Sequence, residues 1–136
     1  MPALETMDLY GRALLWRFLR WDEYAQPVVS ASPESIPVRW VNKKYEVVNA
    51  KTGTLALDAQ VVVDRAVTVG SLLWQVPDPA SDGLDQWNGT GSGTGDARDD
   101  ELMQVKLADR ADDVRGRFTR STLGCMRFGN SLPTQE

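Results

Sequence analysis

Residues 78–101 differ in composition from the rest of this sequence and divide it into two parts. The segment reads DPASDGLDQWNGTGSGTGDARDDE, with seven acidic side chains against one arginine. Such a stretch cannot bury enough apolar surface to offset the cost of ordering its backbone. We therefore expect a long flexible loop, acidic and rich in glycine, inside a domain built from the residues on both sides of it.

Short segments of β type flank this acidic segment. Residues 61–74 are dense in β-branched and aromatic side chains, with Gly70 as a break, and Gly53 is available for a turn with positive φ. Residues 102–107 alternate at a period of two, which is typical of a strand. Several short strands separated by turns indicate a mainly β fold, either a small barrel or a sandwich. The remaining predicted strands are residues 36–41, 45–48 and 119–128, with a polar turn at 42–44.

The N-terminal residues 9–19 have two interpretations. Leu15 and Leu19 would share one face of a helix, whereas the alternation of Trp16, Arg17 and Phe18 is typical of a strand. We favour the strand, followed by a hairpin loop over residues 22–27. The tryptophans at positions 16, 40 and 74 lie within strand patterns, so we expect them in the core.

Composition narrows the class of protein. The 136 residues suit one domain, residues 1–136, and the formal charge of −4 argues against a free-standing nucleic-acid binder. The single cysteine, Cys125, excludes an intrachain disulfide, and there is no histidine to act as a general base or metal ligand. No signal peptide and no apolar run of the ~18 residues that a membrane helix needs is visible. We expect a cytoplasmically folded chain without catalytic residues, cofactor, metal or membrane contact.

The acidic segment itself offers two weak chemical motifs. The glycine-rich run 89–95 resembles a phosphate loop, but Asp96 follows it instead of a Lys-Ser or Lys-Thr pair, so a flexible linker is the better interpretation. The acidic side chains at 96, 99, 100 and 101 lack the fixed spacing of a calcium loop, which favours a solvated acidic segment. Trp87 stands alone there and is a reasonable contact residue.

Three arginines close to the last predicted strand are candidates for a contact surface. Asp109, Asp112 and Asp113 precede them, which is typical of a mixed-charge surface hairpin. The alternatives are an ion-pair seam between subunits and a patch that faces DNA when copies form a ring. The three are Arg115, Arg117 and Arg120.

Several segments together resemble a family of proteins from the necks of tailed bacteriophages. Residues 58–65 read DAQVVVDR, residues 69–74 read VGSLLW, and residues 119–133 read TRSTLGCMRFGNSLP. In order and spacing these are similar to the strands of the head–tail joining, head-completion or stopper proteins. The stretches ALLW at 13–16 and VRW at 38–40 are similar too, whereas the long acidic segment departs from the family pattern.

This resemblance implies a small β-barrel, SH3-like or related, and a structural role without catalysis. It implies a homo-oligomeric ring of six copies between the portal or its adaptor ring and the tail terminator or tail tube, located at the head–tail junction of the virion. Genomic DNA would pass transiently through the channel of that ring. The alternatives are a tail-side component such as a tail terminator, and a cellular β-barrel adaptor unrelated to phage.

Two hypotheses concern the role of the acidic segment within such a ring. Several copies of a segment with net charge −6 would repel DNA phosphates and gate the channel, or the segment would become ordered against a neighbouring ring. The residues that would form this channel or gate loop are Asp82, Asp85, Trp87, Asp96, Asp99, Asp100 and Glu101.

Overall fold

The described part of the chain is built from strands. The computed structural model describes residues 9–49, 53–77, 102–112, 119–128 and 133–136, and these ranges contain eight strands and no helix. The mainly β prediction is therefore confirmed. The strands are β1 (Gly11–Trp16), β2 (Phe18–Trp21), β3 (Pro27–Val29), β4 (Glu34–Asn49), β5 (Gly53–Val63), β6 (Leu72–Gln75), β7 (Met103–Asp112) and β8 (Thr119–Arg127).

Six of the strands form one antiparallel sheet that closes on itself. Their order is β1-β4-β5-β8-β7-β6, and β6 pairs back to β1 from Ala13↔Gln75 to Trp16↔Leu72. Two hairpins, β4–β5 and β7–β8, supply most of the sheet, and the pairing of β5 with β8 joins them. Closure leaves fewer unpaired strand edges than an open sheet would have.

The interior of the closed sheet is packed with aliphatic side chains. Alternate residues of a strand point to opposite faces, so each of the six strands sends every second side chain inward. These buried side chains are mostly alanine and β-branched residues, together with three leucines, which suits a narrow interior. The buried cluster comprises Ala13, Leu15, Ile36, Val38, Ala59, Val61, Val63, Val67, Leu73, Val105, Leu123 and Cys125.

A second buried layer lies on the outer face of β1 and β6. Trp16 and Trp74 are fully buried there, together with Leu14, Leu72, Val76 and Leu102. Val29 of the small β2–β3 sheet joins this layer, and its backbone N–H donates to the carbonyl of Thr134 at 3.0 Å. Both faces of β1 are therefore buried, which explains why its sequence is almost entirely apolar.

The N-terminal segment is extended, which confirms the strand interpretation of residues 9–19. β1 and β2 occupy it, and Asp22 then organises the predicted loop by accepting hydrogen bonds from the backbone N–H groups of Tyr24 and Gln26 at 2.8 and 2.9 Å. A side chain that caps two backbone donors in this way makes a defined turn. The polar loop before β3 is therefore a specific turn.

The prediction of a polar turn at residues 42–44 is wrong. The chain continues through it as the single strand β4, because the pairing with β5 shifts from Asn42↔Ala59 to Tyr45↔Leu57. Two residues on β4 thus oppose one on β5, and this single extra residue makes the irregularity a bulge within a long strand. Lysines and an asparagine are frequent in turns, which is why the sequence pattern was misleading.

Two glycines adopt positive φ values that other residues rarely adopt. Gly53 has φ of 81°, as predicted for its turn, and Gly70 has φ of 103°. Gly70 also lies against the ring of Phe18, so it combines a conformational and a steric requirement.

Among the described residues no helix is long and apolar enough to span a membrane.

Candidate functional site

The closed sheet has two chemically different ends. At one end β1 begins, β6 and β8 end, β7 begins, and the β4–β5 hairpin extends past its neighbours; we call this the groove end. At the other end β1 runs into β2, β4 begins and β5 ends; we call this the β2–β3 end. The directions of the antiparallel strands fix this assignment.

A groove of about 930 Å³ opens at the groove end. It lies between the bulged part of β4 on one side and the last residues of β6 with their continuation on the other. Both residues next to the undescribed segment 78–101 belong to this end, since Pro77 lines the groove and Leu102 precedes the lining residue Met103. The full lining is Trp40, Asn42, Lys43, Lys44, Asp58, Gln75, Val76, Pro77, Met103 and Arg127.

The bulge in β4 explains why two consecutive lysines line the same groove. On a regular strand Lys43 and Lys44 would point to opposite faces of the sheet. Here the two lysines together oppose the single residue Asp58, where the ladder is locally disrupted, and both are exposed. A bulge is a common device for redirecting side chains in this way.

Aromatic and apolar side chains form the floor of the groove. Trp40 and Met103 are partly buried and pack against the interior cluster. The Trp40 indole Nε1–H donates to Oδ1 of Asn42 at 2.8 Å, which orients the ring. The ammonium of Lys43 lies 5.7 Å from the ring centre of Tyr45, within the range of a cation–π contact.

The groove has an excess of positive charge. Lys43, Lys44 and Arg127 line it together with one acidic side chain, Asp58, which accepts a hydrogen bond from the backbone N–H of Arg127 at 2.9 Å. No ion pair between residues in the described ranges includes any of the three cations. Three cations above an apolar floor suit an anionic ligand that also carries an apolar group.

The β2–β3 end presents a group of exposed aromatic side chains, whereas the exposed Tyr10 lies before β1 at the groove end. Trp21 is 53% exposed and Tyr24 is 76% exposed, and Leu19 is about half exposed beside them on β2. The Phe18 and Trp21 rings are in contact, with centroids 4.9 Å apart, and the turn capped by Asp22 holds Tyr24. Tryptophan and tyrosine on a defined turn are typical of protein contact surfaces.

An ion-pair cluster on the same end ties three chain segments together. Arg17 Nε lies 2.7 Å from Glu34 Oε1, and Arg65 Nη1 lies 3.3 Å from Glu34 Oε2. The hydrogen bond from Arg17, opposed by partial desolvation, lowers the pKa of Glu34 and raises the pKa of Arg17. The side chains of Arg17, Glu34 and Arg65 are each about one-third exposed or more, so solvent screens their attraction. Their main role is to hold the three chain segments in position relative to one another.

The structure locates one of the residues proposed from the sequence. Arg120 lies on β8 opposite Ala111, away from the groove end, and is partly buried. Arg115 and Arg117 lie outside the described residues, as does the whole acidic segment 78–101 with its proposed channel or gate residues.

Cys125 faces the interior of the sheet. Burial raises the pKa of its thiol to about 12, so the thiolate is scarce at neutral pH. Partial burial, with a contribution from Cys125, also raises the pKa of the nearby Tyr45. Within the described ranges no group of three or more Cys, Asp or Glu side chains is placed to hold a metal ion.

The groove is not predictable from the sequence pattern. Lys43 and Lys44 are adjacent, and a pair of polar residues between two apolar runs is indistinguishable from a turn without knowledge of the pairing partner. Asp58, Met103 and Arg127 belong to three other strands and meet the lysines only through closure of the sheet.

Comparison with known proteins adds no assignment. No protein-family model, no curated protein and no solved structure matches this chain. The fold, its two ends and the sequence patterns are therefore the basis for a functional assignment.

Proposed function

We propose that this chain is a non-enzymatic structural protein of the neck of a tailed bacteriophage, where it joins the head to the tail. The observation that carries the proposal is the presence of two different contact surfaces at opposite ends of one closed sheet. The exposed aromatic turn of the β2–β3 end suits one protein neighbour, and the basic groove suits another. A subunit that connects two partners along an axis needs two such ends.

The distribution of the family-like sequence patterns supports the same proposal. Residues 58–65, 69–74 and 119–128, which resemble strands of the neck proteins, fall largely on β5, β6 and β8. All three strands belong to the closed sheet. The closed sheet is also consistent with a small barrel, SH3-like or related, which would serve as a rigid wedge in a ring.

In this proposal the protein forms a homo-oligomeric ring, with six copies as the expected number. The ring lies between a portal or adaptor ring and the tail terminator or tail tube, and helps to close the DNA channel after packaging. The protein is made in the host cytoplasm and ends in the virion at the head–tail junction. Catalysis, a cofactor and a membrane play no part in this role.

Immunogold electron microscopy tests the proposal directly. An antibody to this chain is applied to complete particles and to filled tailless heads from a lysate of the phage that encodes it. We expect gold at the head–tail junction of complete particles and at the single vertex of the tailless heads. The control is the same antibody after adsorption with the purified chain, which should remove the label.

The other patterns of labelling would each contradict the neck assignment. Gold along the tail or at its far end would make the chain a tail component, such as a tail terminator if it lies where the tail tube ends. Absence of gold from every particle, with the chain detected in the lysate by blotting, would favour a cellular adaptor.

A further inference from the structure

We infer that the turn between β2 and β3 is a preformed anchor for one protein neighbour, and that it enters an apolar pocket with a lysine or arginine at its mouth. The inference rests on the proposed function, because it gives the chemistry of one of the two neighbours that a neck subunit joins. We call residues 21–26 the aromatic turn. Its fixed backbone, its exposed rings and its charge are the observations that support the inference.

Four hydrogen bonds fix the backbone of the aromatic turn. Two are those that the Asp22 carboxylate accepts. In the other two, the Asp22 N–H donates to the Gln26 carbonyl at 2.8 Å and the Ala25 N–H donates to the Asp22 carbonyl at 3.1 Å. They hold Ala25 at φ of 60°, in the left-handed region that residues other than glycine rarely adopt. Strain that the surrounding structure enforces is frequent at binding sites, and a turn that is ordered before contact loses less entropy on association.

The ring of Trp21 rests on a fixed base. On a regular strand Phe18 and Trp21, three residues apart, would point to opposite faces of β2. The register shift in the pairing of β2 with β3 lies between them, and their rings are in contact with centroids 4.9 Å apart. The Phe18 ring in turn lies against Gly70. Trp21 is therefore held on one side, while 53% of its surface is exposed to solvent.

The exposed side chains of the aromatic turn are of the types that binding surfaces use as anchors. Tyr24 is 76% exposed, Leu19 is about half exposed next to the turn, and residues 23–26 are all exposed. Tyrosine and tryptophan bury a large area with little loss of side-chain freedom, which makes them frequent hot-spot residues. Because the exposed turn is a convex feature, the complementary surface of the neighbour is a concave pocket with apolar walls.

The charge of the aromatic turn indicates a basic group in the neighbour. Arg17, Arg20 and Arg65 at this end lie in ion pairs with carboxylates of the same chain. The charged residues of the turn itself are acidic, and Glu23 is exposed next to Tyr24. A lysine or arginine at the mouth of the pocket would pair with Glu23, and within about 6 Å of the Tyr24 ring it would also make a cation–π contact.

Sedimentation with purified virion parts tests the inference. The full chain is mixed with tailless heads or with free tails from a lysate of phage whose gene for this chain carries an amber mutation, and bound chain is measured by blotting gradient fractions. We expect the unmodified chain to bind both parts. Trp21→Ser with Tyr24→Ser should weaken binding to one part by about tenfold or more and leave binding to the other within about twofold, which also shows that the variant is folded.

Tyr10→Ser is the matched control for this double variant. Tyr10 is also 76% exposed, but it precedes β1 at the groove end. The Tyr10 variant should therefore retain, within about twofold, binding to the part that the double variant no longer binds. Equal loss of that binding in the Tyr10 variant would show that the effect is not specific to the aromatic turn, and would overturn the inference.

Two further pairs of variants separate the charge of the turn from its rigidity. Glu23→Lys should weaken binding to the same part about tenfold, whereas Glu46→Lys changes the net charge equally on β4 and should alter binding less than about twofold. Asp22→Asn keeps an oxygen acceptor for the N–H groups of Tyr24 and Gln26, and binding should stay within about twofold. Asp22→Ala removes this acceptor and should weaken binding about fivefold, although both rings are still present.

The outcomes distinguish failure of this inference from failure of the proposed function. Equal binding of the double variant and the unmodified chain would overturn the inference alone, and so would equal effects of Glu23→Lys and Glu46→Lys. An unmodified chain that binds neither heads nor tails would overturn the neck assignment and the inference with it. Loss of binding to both parts in the double variant, with Glu23→Lys and Asp22→Ala unaffected, would give the turn a structural role only and overturn the inference.

Sedimentation velocity of the isolated chain excludes one further occupant. Self-association of the unmodified chain that the double variant abolishes would make the occupant of the aromatic turn a second copy of this chain, and would overturn the inference. We expect the same sedimentation coefficient for the unmodified chain and the double variant.

Discussion

At the scale of single residues, close approaches between chain segments limit substitution more than buried volume does. Gly70 lies where a Cβ atom would be 2.8 Å from Cδ2 of the Phe18 ring. At Gly124 a Cβ atom would lie 2.7 Å from Leu57 Cδ1 and 3.0 Å from the Tyr45 hydroxyl, both at the ends of side chains that can move. The two glycines should therefore tolerate a methyl group to different degrees.

Gly70→Ala is expected to reduce the free energy of unfolding by about 2–4 kcal/mol, since it combines a positive φ with overlap against an aromatic ring. Gly124→Ala is the matched comparison. It lacks the positive φ and should cost about 1 kcal/mol, because Leu57 and Tyr45 can adjust. Urea unfolding followed by tryptophan fluorescence measures both values. A larger loss in the Gly124 variant would contradict this order.

At the scale of elements, the Arg17–Glu34–Arg65 cluster joins the start of β4 to the segments after β1 and β5. All three side chains are substantially exposed, so solvent screens their attraction. The hydrogen bond from Arg17, the largest cause, nevertheless lowers the pKa of Glu34 from its ordinary value of 4.5. Its contribution to stability is therefore complete above that ordinary value and is lost as pH falls through the lower value of the folded state.

Glu34→Gln should reduce the free energy of unfolding at pH 7 by about 0.5 kcal/mol, because a neutral amide keeps the shape but not the charge. The difference from the unmodified chain should persist down to about pH 5 and vanish well below the ordinary pKa. Glu46→Gln is the control, as Glu46 is exposed and makes no ion pair with a residue in the described ranges. A Glu34 difference that grows on acidification would refute this sign.

Element by element, the residues show how far the sequence could predict the fold. The valines of β5 and the alternation in β7 mark strands because branched and alternating side chains suit a half-buried sheet. The family resemblance implies a strand over residues 69–74, but residues 69–71 precede β6, because the chain turns at Gly70, the break that the sequence predicts. The bulge at Lys43 and Lys44, and with it the groove, depends on pairing with β5, which a single strand's sequence does not encode.

At the scale of the whole molecule, the acidic segment connects two strands that are already neighbours. β6 and β7 pair directly through Leu73↔Met103 and Leu72↔Gln104. Antiparallel neighbours of this kind can be joined by a short turn. The 24 residues from 78 to 101 are therefore not needed to span a distance within the sheet.

Replacement of residues 78–101 by a neutral linker of about six residues should leave the sheet intact. Loop closure becomes easier by about 0.6 kcal/mol for each halving of length, so a stabilisation of about 1 kcal/mol is expected. Urea unfolding with an unchanged m value would support this. Loss of a cooperative transition would mean that the segment contributes to the core.

The closure of the sheet by β1 and β6 also has a consequence for how the chain acquires its structure. The pairs β1–β6 and β5–β8 join segments about 60 residues apart in sequence, so the topology has a high contact order and predicts folding in milliseconds to seconds. On the ribosome, the edge of β5 that pairs with β8 has no partner strand until β8 has been synthesised. The first half of the chain therefore leaves the ribosome with an unpaired strand edge, which favours rapid completion of synthesis or transient protection by a chaperone.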